Sequence, residues 1–146
     1  MTSELFDATQ YSIRQPEKEV ALLRGLNELT ASHRSRCPEY DRLLRILYPG
    51  LKEAQSLADV PFLPVSLLKY HSLRSVPQAE VFKTLTSSGT TGQRVSRIQL
   101  DRETAQLQTM ALAKIMTSVL GSARLPMILI ENADMFQDRR QFSARA

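Results

Sequence analysis

The residues in this sequence best suited to chemistry form one string, Thr86-Ser87-Ser88-Gly89-Thr90-Thr91-Gly92. Glycines permit positive φ and close backbone approach, so that successive N–H groups can converge on an anion, and the interleaved hydroxyls rotate to donate to phosphate oxygens. The string therefore reads as a phosphate-cradling loop. It is not a Walker A loop: no Gly-x-x-x-x-Gly-Lys-Ser/Thr spacing occurs, and the element expected after it is a strand. Nor is it a dinucleotide fingerprint. On composition alone an ordinary polar hairpin loop fits these residues about as well, since Ser, Thr and Gly dominate such loops. Two nearby cations, Arg94 and Arg97, are candidates for the positive charge a phosphate site needs, with Arg97 expected on the same strand face as Val95 and Gln99. For Arg97 the blander assignment, a solvated arginine on a hairpin, is favoured.

Other reactive residue types carry weaker signals. Cys37 stands alone, precedes Pro38, and reads as a small apolar filler rather than a nucleophile. His33 and His71 sit in no metal-ligand spacing, and a lone histidine is more often structural. Lys69 reads as a solvated end. Glu131, Asp134 and Asp138 follow an apolar run, where ligand sites gather in α/β sheets, but a polar surface loop accounts for them more simply.

The elements that position the string can be read from periodicity and punctuation. Pro16, Glu17 and Glu19 open a helix whose stripe is Val20, Leu22, Leu23, Leu26 and Leu29, expected from about Pro16 to His33. A break at Arg34 to Cys37 leads into a second helix from Pro38, with Tyr40, Leu43, Leu44, Leu47 and Tyr48 on one face and Pro49-Gly50 as its stop. Pro61 and Pro64 favour an extended segment followed by one or two helical turns. A strand is expected from Glu80 to Thr86 and another from Val95 to Leu100, so the string would be the loop of a β-hairpin. Asp101 caps a long helix through Leu120, and Gly121 is placed to end it in a left-handed conformation. Leu125-Pro126-Met127-Ile128-Leu129-Ile130 then reads as a strand buried on both faces of a parallel sheet. The expected fold class is α/β: an N-terminal helical region over residues 1–60, then the start of an α/β domain over 61–146. One central strand without flanking neighbours implies that this chain is the N-terminal part of a larger protein.

Composition narrows the class. The chain has 146 residues with 42% hydrophobic and 23% charged, which excludes a disordered or fibrous protein. No apolar run exceeds four residues, as in Met127 to Ile130, so no spanning helix is expected. The first ten residues lack the marks of a secretory or transit signal, and one unpartnered cysteine suits a reducing compartment, so a cytoplasmic location is expected. Residues 1–60 hold 8 Lys/Arg against 9 Asp/Glu, whereas 61–146 hold 11 against 6, which puts the basic excess beside the string. Nucleic-acid binding is not expected, since no basic run or aromatic interleaving occurs.

Ser87 to Gly92, directly after a strand, resembles the phosphate loop of the adenylate-forming enzymes: acyl-CoA synthetases, luciferases and adenylation domains. Pro64-Val65 through Phe82-Lys83, Ile98-Gln99-Leu100-Asp101 and Phe142-Ser143-Ala144-Arg145 look like the acyl-protein synthetase (LuxE-type) branch, and more distantly like phenylacetate-CoA ligases. The resemblance covers most of residues 55–146. It implies part of the large N-terminal domain of such an enzyme, with ATP as substrate and Mg2+ as its metal. A carboxylic acid, usually fatty, would be activated as an acyl-adenylate, then passed to a cysteine and on to a reductase partner. Residue by residue, it assigns Thr86, Ser87, Ser88, Gly89, Thr90, Thr91 and Gly92 to triphosphate binding. Where many relatives have x-Pro-Lys after the second glycine, this chain has Gln93-Arg94-Val95. The sites for adenine, ribose, metal and acyl-accepting cysteine would lie beyond Ala146, so these residues by themselves are expected not to catalyse. The competing expectations are a non-catalytic interaction module docking on a partner through its helical hairpin, and a coenzyme A ligase of the phenylacetate type.

Overall fold

Prolines set the beginnings of the first two helices, and in a computed structural model of the chain both start where expected. The structure describes residues 8–9, 11–87, 94–123, 125–126, 128 and 141–143. It divides into two compact units: Met1–Pro64 with His71–Ser75, and Val65–Tyr70 with Val76–Ala146.

In the first unit, helix α1 spans Gln15–Arg36, with Pro16 and Glu17 in its first turn and His33, Arg34 and Arg36 in its last. The charges complement the helix dipole. The expected end at His33 is corrected to Arg36. Polar residues at 34–36 do not stop a helix; the stop comes at Cys37, which is forced into an extended conformation (φ −127°, ψ 93°) by the proline after it. Helix α2, Pro38–Leu47, begins at once. Leu44 is fully buried on its inner face, joined by buried Cys37 and Ala54. The stripe of α1 is less covered than its spacing predicts: Gly25 is buried, but Val20 is 72% exposed. Gly50, at φ 76°, turns the chain after α2.

Side chains then staple the following irregular segment to the helices. Asn27 Nδ2 donates to Ala54 O (2.9 Å), and its Oδ1 accepts from Ala54 N (3.1 Å). Tyr48 donates from its hydroxyl to Phe62 O (2.9 Å) and accepts from Phe62 N (3.1 Å). Each pair satisfies both polar groups of one residue outside regular structure.

In the second unit, a 3₁₀ turn at Val65–Lys69 follows Pro64, as the proline spacing predicts. Strand β1, Lys83–Thr86, pairs antiparallel with β2, Arg97–Leu100, in the register Lys83↔Leu100 to Thr86↔Arg97. The hairpin is therefore present, with both strands shorter than expected; Gln78–Glu80 forms a 3₁₀ turn instead of strand. Helix α3, Arg102–Leu120, is capped by Asp101, whose carboxylate accepts from Thr104 N. Gly121 ends it at φ 79° and ψ −179°, a glycine-only conformation rather than the expected left-handed helical one. Ala105 and Leu100 are the buried apolar residues here.

The strand expected at Leu125 to Ile130 is corrected for the residues described there. Leu125, Pro126 and Ile128 lie outside any strand, and Ile128 is 88% exposed. Pro126 has no N–H to give a ladder, and a short apolar run does not by itself distinguish a strand from other segments. The parallel neighbour of β1 is instead β3, Gln141–Ser143, which gives the sheet order β2-β1-β3. The fold is mixed α/β, with one antiparallel and one parallel pairing.

Candidate functional site

The loop end of the β1–β2 hairpin is where the sequence-predicted residues meet the structure. Thr86, half-buried, ends β1 directly opposite Arg97, which begins β2. Ser87 follows and closes the neck twice: its N–H donates to Ser96 O (3.1 Å), and its Oγ accepts from Ser96 N (3.0 Å). Ser96 is buried, so its backbone needs both partners. The Ser87 oxygen thus has a structural duty, while its hydroxyl hydrogen stays available as a donor. Ser88, Gly89, Thr90, Thr91 and Gly92 lie outside the described residues.

Two arginines occupy this end of the hairpin. Arg97 is exposed. Arg94, also exposed, holds its guanidinium carbon 5.6 Å from the centre of the Tyr70 ring. Tyr70 stands there because the Val65–Lys69 turn packs on β2 and closes with Tyr70 N donating to Leu67 O (3.0 Å). At the other end of the ladder Arg102 stacks in the same way on Phe82, at 4.3 Å. Sequence reasoning missed both partnerships. Arg94 and Tyr70 are 24 positions apart, and no periodicity links them.

The remaining candidates take other roles. Cys37 is 3% exposed between α1 and α2. His71 Nδ1 lies 2.7 Å from Glu39 Oε1, and His33 Nδ1 hydrogen-bonds Ser75 Oγ, so the histidines clasp the segment His71–Ser75 to the helices. Burial, with Arg36 nearby, pushes the His33 pKa below its ordinary value. Lys69 is half-buried at the end of its turn, and Glu131, Asp134 and Asp138 lie outside the described residues. Among the described residues no group of three His, Cys, Asp or Glu can hold a metal ion. No helix among them is long and apolar enough to cross a membrane.

Among the described residues this end of the hairpin carries the Ser87 hydroxyl and two guanidinium groups, donor types suited to an anion. Against known proteins, the family model described as "Acyl-protein synthetase, LuxE" matches residues 3–141. No curated protein and no solved structure matches the chain.

Proposed function

This chain belongs to the acyl-protein synthetase (LuxE) family, and from that premise we propose that it serves the ATP-dependent activation of a carboxylic acid, a fatty acid by resemblance, as an acyl-adenylate for transfer to a protein thiol. The family is one of ligase-type enzymes. The observation that supports the finer reading is an antiparallel hairpin whose neck is shut by Ser87 and Ser96 and whose two strands are joined in sequence by the hydroxyl- and glycine-rich string. Thr86 to Gly92 hold the triphosphate. A carboxylate oxygen attacks the α-phosphorus, and the bond to the bridging oxygen breaks, with pyrophosphate leaving. A thiolate then attacks the acyl carbon and AMP leaves.

Both reactants of the first step are anions, so neutralising and aligning them is the protein's main task. The hydroxyls and N–H groups of the string donate to phosphate oxygens, and an arginine shares the charge. Magnesium finds no ligand set among the described residues. Cys37 is too buried to be the acceptor thiol.

The test is carboxylic-acid-dependent exchange between ATP and pyrophosphate by the protein purified from its source. Replacing Thr90 and Thr91 by Val is expected to lower exchange by about 10²-fold or more. Unchanged exchange sinks the proposal. Transfer to coenzyme A rather than to a protein would shift the reading to the phenylacetate type.

A second reading, a non-catalytic module that docks on a reductase partner, is favoured by α3, where Leu112, Ile115, Met116 and Val119 are all exposed. A monodisperse monomer that binds no hydrophobic dye argues against it.

A further inference from the structure

We draw no further inference here: the strongest candidate, the exposed apolar face of the C-terminal half of α3 at Leu112, Ile115, Met116 and Val119, carries nothing because nothing among the described residues shows what covers it.

Discussion

The two units hold some of their charged and polar side chains in different ways. In the helical unit nearly every such group near the core is engaged locally: Asp41 accepts from Arg34 at 2.8 Å and from Arg45 at 2.7 Å, Glu39 meets His71, and Asn27 and Tyr48 each grip a backbone. In the sheet unit Arg94 and Arg102 rest on aromatic rings and have no carboxylate among the described residues. A side chain already satisfied within the protein contributes to holding a fold. One that is positioned but unmatched in charge is available to a ligand. The proposed function asks for this difference: local anchoring in the first unit and unmatched guanidinium groups in the second.

The largest test of that contrast is Leu44→Ala. Truncating the fully buried residue of the helical unit should cost about 2–5 kcal/mol in urea unfolding. Amide exchange read residue by residue sharpens the point: protection should fall over α1 and α2 more than over α3. An equal fall in both units would show that they unfold as one and would blur the contrast. A smaller loss, about 1–3 kcal/mol, is expected for Asn27→Ala, which leaves both polar groups of buried Ala54 without their partner. Smaller again is Asp101→Ala in the sheet unit, about 1 kcal/mol, from the lost cap on α3.

Acid provides the last test. The Arg34 hydrogen bond, helped by Arg45, holds the Asp41 carboxyl below its ordinary value, and the side-chain and backbone hydrogen bonds of Thr104 do the same for Asp101. Because folding depresses these pKa values, the stabilisation is present above the unfolded carboxylate range and is lost as pH falls through the folded values. His33 acts in the same direction at higher pH: burial favours its neutral form, so its contribution is complete above its ordinary value and declines as acid protonates it. The helical unit should therefore lose the His33 contribution on mild acidification, before Asp41 and Asp101 lose theirs in stronger acid. Circular dichroism melts of the unaltered chain, His33→Asn and Asp41→Asn over a pH series measure this; a mildly acid dependence unchanged by His33→Asn, or a strongly acid one unchanged by Asp41→Asn, would contradict it.

Much of the molecule was legible because its signals are local. Pro16 and Pro38 mark helix starts wherever they stand, since a proline at the first turn forfeits no hydrogen bond. Asp101 followed by Glu103 marks a third start, and the β-branched and aromatic residues around Thr86 mark a strand. The expectation of a buried strand at Leu125 to Ile130 misled because burial depends on which elements come to cover a segment, and apolar composition alone does not say. The extent of α1 was misjudged for a related reason: residues 34–36 are neutral to helix, and the conformation of Cys37 decided the end.

By itself the sequence determined the helix starts and the chemical character of the Thr86 to Gly92 string, because steric preference and hydrogen-bonding capacity belong to neighbouring residues. Only the tertiary structure decided that Ser87 closes the hairpin onto Ser96, that His71 meets Glu39, and that Tyr70 lies under Arg94. Those contacts join residues 9 to 32 positions apart, and their geometry depends on how turns and strands pack, which no single stretch of chain contains.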